Sequence, residues 1–284
     1  MRKIKNPGFS KNTPLAIRMK EYESVTTGLS LVRRLPIYAR IDMRAGHTWC
    51  RGLDKPFDID YSNAMKAATS YVTDETGAAL GFCQSDEASF VWPDDTKVPF
   101  GTRLFKLQSV LASMFTGAFI KACLGTKLEQ KVWLRVPSFD CRVANMPDLS
   151  ECANMILWRS RDSVKNSITL LALEHFSNKE IHKKSGEEKI RMLAEKGIDY
   201  NTAVAEDLRE GAFFRRETYE RELTAEEVAK IPEKVRPAAG TAVTRSRTTQ
   251  FSLGMPVGEC ANKVEALFFG AKPVDRDTAD GVAI

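Results

Sequence analysis

Histidine is scarce in this 284-residue chain, with 3 in all, and the 6 cysteines form no Cys-x-x-Cys pair. His47-x-x-Cys50 has no second ligand pair at zinc-finger spacing, which excludes a zinc-stapled module. Most of the cysteines lie among apolar residues and no secretory signal accompanies them, so they read as reduced thiols. The basic start, MRKIKNPGFSKN, has no apolar stretch of the signal-peptide kind. The longest apolar run, Leu107 to Ile120, is interrupted by Gln108, Ser109, Ser113 and Thr116 and is too short to span a bilayer. A soluble, cytoplasmic protein with no membrane segment is expected. Internal repeats are lacking. Charge of one sign is only slightly in excess, at +5 from 42 basic and 37 acidic residues. Basic clusters at Arg2, Lys3 and Lys5, at Arg33-Arg34 and at Lys183-Lys184 suit a phosphate-rich partner, and equally suit solvated faces.

What is present is ordinary globular composition, 43% apolar and 28% charged, in a chain long enough to bury a core without staples. PIYARID at 36–42 is β-prone and ends in a charge. Residues 60–75 recur at helical spacing until Gly77 stops them. AALGFCQ and ASFVW flank Ser85-Asp86-Glu87 as a hairpin. Residues 102–123 carry Leu104, Leu107, Leu111, Met114 and Ala118 on one stripe, a well-buried helix. SFDCRVA at 138–144 alternates like a half-buried strand. The order is β-α-β-β-α-β, the split βαβ arrangement. The fold class expected is α+β: a ferredoxin-like antiparallel sheet with helices on one face, as in a polymerase-type palm, plus a helical C-terminal section. Three parts follow: 1–150 as the catalytic module, 151–235 as a helical and β section, and 236–284 as an extension loosely structured in part. Within the second part, residues 151–177 and 185–196 are helical, the latter opened by a Ser185-x-x-Glu188 capping box.

This topology makes a geometric prediction. Strands one and three are antiparallel neighbours, so Asp42 at the end of the first meets Asp86 and Glu87 at the start of the third. Converging carboxylates repel unless cations neutralise them, and Mg²⁺ accepts carboxylate oxygens while keeping phosphate and water ligands. Two such ions can align an attacking oxygen with a phosphate. All three carboxylates are therefore candidate metal ligands. An isolated Asp-Glu pair is also what a polar turn carries.

The chain is similar to the tRNA-histidine guanylyltransferase superfamily. The matching stretches run in family order: RMKEYE at 18–23, ARIDMRAGH at 39–47, GLDKPFD at 52–58, GFCQSDEASFVW at 81–92, FGTRLFKLQSVLAS at 100–113, SFDCRV at 138–143, ILWRSRDSVKNSI at 156–168, EKIRML at 188–193, then KGIDYN and REGAFFRRE. The resemblance implies that Asp42 and Asp86 hold two Mg²⁺ ions with the backbone carbonyl of Met43, and that Glu87 supports them. It implies that Arg103, Lys106, Lys189, Asn201 and Ser85 grip a nucleoside triphosphate. Arg40, His47 and Lys55 would help activate the RNA 5′ end. The partners implied are tRNA or tRNA-like RNA, GTP, ATP and other NTPs, in a homotetramer. His175 and His182 read as surface or capping residues. Asp140 and Asp162 read as structural, Asp140 paired with Arg142 or a loop amide and Asp162 with neighbouring arginines.

The chain departs from the family's Asp-Gly-Arg-x-Phe-His, having Asp42-Met43-Arg44-Ala45-Gly46-His47. Gly46 removes an aromatic stacking surface, and a side chain at Met43 narrows the approach to its carbonyl. Val164-Lys165-Asn166-Ser167 stands where eukaryotic members carry His-Ile-Asn-Asn, which is closer to the guanylyltransferase-like branch. The implied activity is 3′-to-5′ nucleotide addition to an RNA 5′ end after activation by ATP or GTP. A palm-type nucleotidyl cyclase and an inactive nucleotide- or RNA-binding protein are the alternatives.

Overall fold

A computed structural model describes residues 14–17, 19–20, 28–94, 98–238 and 240–279. The basic cluster Arg2, Lys3 and Lys5, most of RMKEYE and the last five residues lie outside them. The strands are β1 (Ile37–Met43), β2 (Leu80–Gln84), β3 (Glu87–Trp92), β4 (Phe139–Asn145), β5 (Ala212–Glu222) and β6 (Ala242–Phe251). The principal helices are α1 (Ile59–Thr76), α2 (Leu104–Cys123), α3 (Leu149–His175), α4 (Gly186–Glu195) and α5 (Lys263–Phe268).

All six strands form one sheet in the order β4-β1-β3-β2-β5-β6, and every pairing is antiparallel. The first four strands reproduce the order expected of the split βαβ module. A two-residue turn, Ser85-Asp86, joins β2 to β3, with Ser85 in the left-handed region at φ 48°. In the β1–β3 register Asp42 stands opposite Glu87.

Side chains alternate across a strand, and the two faces of this sheet bury separate cores. Ile37, Ala39, Ile41 and Met43 of β1 pack beneath α1 and α2. Leu107, Leu111, Phe115, Phe119 and Cys123 recur every four residues on α2 and are fully buried. Burying each large apolar side chain contributes roughly 1.5–3 kcal/mol, so this stripe clamps the helix to the sheet. Tyr38, Leu80, Phe82 and Val91 face the other way, against Cys152, Ala153 and Ile156 of α3 and Ala266, Leu267 and Phe268 of α5. Helices thus cover both faces: the module's own pair on one side, the C-terminal helices on the other.

Local chemistry sets the helix ends. Asp58 caps α1 by accepting from the amide of Tyr61, and Gly77 closes it at φ 64°. The capping box of Ser185 and Glu188 at α4 is formed in both directions. The extension beyond 236 contributes ordered elements. Its strand β6 pairs with β5 from Glu222↔Ala242 to Phe213↔Phe251, and α5 packs into the second core.

Candidate active site

The β1–β3 pairing delivers Asp42 and the Ser85-Asp86 turn to one end of the sheet, where the Met43 amide donates to the Asp86 carbonyl at 3.0 Å. Asp86 is half-buried, and its carboxyl is raised above the ordinary range, first by burial and then by repulsion from Asp42. Two carboxylates that repel one another are what a hard divalent ion relieves, and carboxylate oxygens are the ligands Mg²⁺ prefers. The donor set therefore fits such an ion. Met43 turns its side chain into the first core, away from the sheet end.

Three carboxylates do not converge here, and that expectation is corrected to a pair. Asp86 projects onto the α1 side, against Gly46. Glu87, one residue on, projects to the opposite face and is buried there. Its Oε2 accepts from Nη1 of Arg159 on α3 at 3.1 Å, and Arg40 Nε lies 4.0 Å away. Among the described residues no set of three His, Cys, Asp or Glu side chains is grouped to hold a metal ion. Asp86 sits in the turn before β3, whereas Glu87 is the first residue of the strand and turns to the α3 side.

Asp86 lines a cleft of about 580 Å³ between α1, the residues that precede it and α3. Gly46, His47, Lys55 and Ser85 share this wall, with Ser163, Asn166 and Ser167 opposite. Lys66 and Asp207 are ion-paired at 2.7 Å on the cleft lining. Burial raises the Asp207 carboxyl, but the Lys66 hydrogen bond and charge outweigh it and hold it below the usual carboxylate range. Burial pushes the Cys50 thiol up and the Cys83 thiol to about 12, so neither cleft cysteine is a thiolate nucleophile at neutral pH.

The remaining candidates lie outside this wall. Arg103 is the N-cap of α2, with its Nε donating to the Phe100 carbonyl at 3.3 Å, and Lys106 stands over the Phe100 ring at 5.2 Å. Lys189 on α4 donates to Thr169 Oγ1 at 3.0 Å. Asn201 is exposed, and its carbonyl accepts from Arg209 at 3.0 Å. Asp140 pairs with Arg142 at 3.6 Å and Asp162 with Arg159 at 3.2 Å, as the sequence suggested. His175 and His182 are exposed.

Sequence reasoning missed three features of the site. Arg159 is buried beneath Glu87 and stacks on Trp158, 3.8 Å from ring centre to guanidinium carbon. Asp58 holds Lys127 at 3.1 Å. Lys66 meets Asp207. Only Asp58 carried a local signal, as an Asp immediately before a helical run.

Residues 16–147 match the Thg1 family, described as tRNAHis guanylyltransferase. The tRNA(His) guanylyltransferase of Schizosaccharomyces pombe is 34% identical over 156 residues, covering 53% of this chain and 56% of that protein. The chain thus spans little more than half the length of that relative. A bacterial Thg1-like protein solved in complex with ATP superposes with a TM-score of 0.70 at 26% identity, over 91% of this chain and all of that one. A Thg1-like protein in complex with GTP gives 0.60 at 26% identity, over 83% of this chain and 89% of the other.

Proposed function

We propose that the chain belongs to the Thg1 family of tRNAHis guanylyltransferases, and that it is a metal-dependent nucleotidyltransferase adding nucleotides in the 3′-to-5′ direction to the 5′ end of tRNA or a tRNA-like RNA. The observation that carries this reading is the Asp42/Asp86 pair, joined by strand pairing at the edge of a cleft large enough for a nucleotide. The solved Thg1-like complexes with ATP and with GTP support a triphosphate as one reactant.

Asp42, Asp86 and the Met43 carbonyl would hold two Mg²⁺ ions, which supply neutralisation of phosphate charge. The chain's own residues do the positioning. Rigid strands fix both carboxylates, and such preorganisation supplies much of the rate in phosphoryl-type transfers. His47, Lys55 and Ser85 face the same cavity as Asp86 and orient the nucleotide and the activated 5′ end. Arg103 and Lys106, in the opening turn of α2, are cationic donors suited to a triphosphate, with Lys189 and Asn201 contributing from the α4 side. Arg159 keeps Glu87 paired, so that a third negative charge is not added to the site. We place the enzyme in the cytoplasm as a homotetramer. No helix among the described residues is long and apolar enough to cross a membrane.

Incubation with 5′-monophosphorylated tRNA lacking its first nucleotide, ATP, NTPs and Mg²⁺ tests the reading. RNA extended at its 5′ end by the parent, and not by Asp42→Ala, is expected. A cyclic nucleotide formed from NTP alone would replace the proposal with a cyclase.

A further inference from the structure

One wall of the cleft has little structure of its own. Residues 51–57 line the cavity yet form neither helix nor strand. Among the described residues, the stretch makes one backbone-to-backbone hydrogen bond, from the Leu53 amide to the Cys50 carbonyl at 3.1 Å. A segment with so few internal bonds opens easily unless side chains from elsewhere hold it.

Three side chains hold it. Asp58, whose side chain is 3% exposed, gathers the far end of the wall. Its Oδ1 accepts from the Tyr61 amide at 3.0 Å and its Oδ2 from the Asp54 amide at 3.1 Å. Lys127, in the connection from α2 to β4, reaches the same Oδ2 at 3.1 Å and is paired with Asp54 as well. Lys131, four residues on, donates to the Arg51 carbonyl at 2.7 Å and stands over the Trp49 ring at 5.3 Å. Neither lysine lines the cleft. An exposed pair such as Lys127 with Asp54 contributes little alone, whereas a charged hydrogen bond to a buried carboxylate is stronger. Asp58 therefore makes Lys127 the firmer of the two grips.

From this arrangement we propose that Lys127 is a positioning residue for nucleotide binding, holding the 51–58 wall, Lys55 included, against the nucleotide without touching it. The inference rests on the function proposed above only in taking the occupant of the cleft to be a nucleotide. A wall released part of the time lowers the fraction of molecules ready to bind, and apparent affinity falls by that fraction. At saturation the bound nucleotide itself keeps the wall in place. Loss of Lys127 then registers in KM, with kcat close to that of the parent.

Titration of a fluorescent ATP analogue with Mg²⁺, followed by anisotropy, tests this in the parent, Lys127→Met and Lys127→Arg. Kd should rise about tenfold in Lys127→Met and stay within about twofold of the parent in Lys127→Arg, which keeps the cation and the reach. Hydrogen exchange at amides 51–57 should be faster in Lys127→Met without nucleotide and match the parent at saturation. An unchanged Kd in Lys127→Met overturns the positioning role and leaves the proposed function standing. Weaker binding with unaltered exchange overturns it too, because the lysine then acts on the nucleotide directly. If the binding pattern holds but the parent extends no RNA, the proposed function falls and the positioning role stands. A parent that binds no nucleotide overturns both.

Discussion

The carboxylate of Asp86 occupies the space that a side chain on Gly46 would need. An ideal β-carbon at Gly46 would overlap Asp86 Oδ2 and lie 2.9 Å from Asp86 Cγ. Gly46 is therefore sterically coupled to the carboxylate proposed above as a metal ligand. Gly46→Ala is expected to displace Asp86 and reduce kcat by about a hundredfold, since small misplacements of reacting groups cost that much. The fold should survive, because the displaced atoms are the far end of one side chain. Equal kcat in variant and parent, in steady-state extension assays, would falsify the coupling.

Asp86→Asn removes a charge that burial and Asp42 both oppose. Activity should be lost while Tm rises by about 2–4 °C, the exchange of stability for function common at active sites. Added Mg²⁺ should raise the Tm of the parent and have much less effect on the variant. Calorimetry with and without the ion measures both.

Arg159 and Glu87 form a buried pair, each side chain less than a tenth exposed. Removing one partner strands the other's charge, so Arg159→Ala should destabilise the protein by about 3–5 kcal/mol. Arg159→Met combined with Glu87→Gln should recover most of that loss. A single variant as stable as the parent in urea unfolding would show that the pair is solvated.

Asp207 titrates below its ordinary range because Lys66 outweighs the cost of burial. A depressed native pKa contributes stability above the unfolded pKa, and that contribution disappears as pH falls through the native value. Asp207→Asn should therefore cost about 1 kcal/mol at neutral pH. The gap should close once the pH drops below the usual carboxylate range. Urea midpoints across that range decide it; a constant gap would show that the charge plays no part.

Much of the architecture could be read from local pattern. The stripe of Leu104, Leu107, Leu111, Met114 and Ala118 located the helix α2, but its fully buried face is centred one position over, on Leu107, Leu111, Phe115 and Phe119, with Leu104, Met114 and Ala118 half-buried. Strand order alone paired Asp42 with the turn that carries Asp86. Glu87 was harder to place, since its partner lies 72 residues away and no periodicity links them. Lys66 and Asp207, 141 residues apart, carried no local signal at all. Strand β6 was obscured for a different reason. Its residues are exposed or half-buried on both sides, so pairing with β5 defines it without an alternating apolar pattern.

Consecutive residues at the head of β3 are anchored in opposite layers, Asp86 against the loop before α1 and Glu87 beneath α3. The backbone between them works like a rivet through two plates. If either layer slides, the rivet tilts, and the Asp86 carboxylate tilts with it. Substitutions deep in the α3 layer, far from any nucleotide, should accordingly register as slower turnover before they register as unfolding.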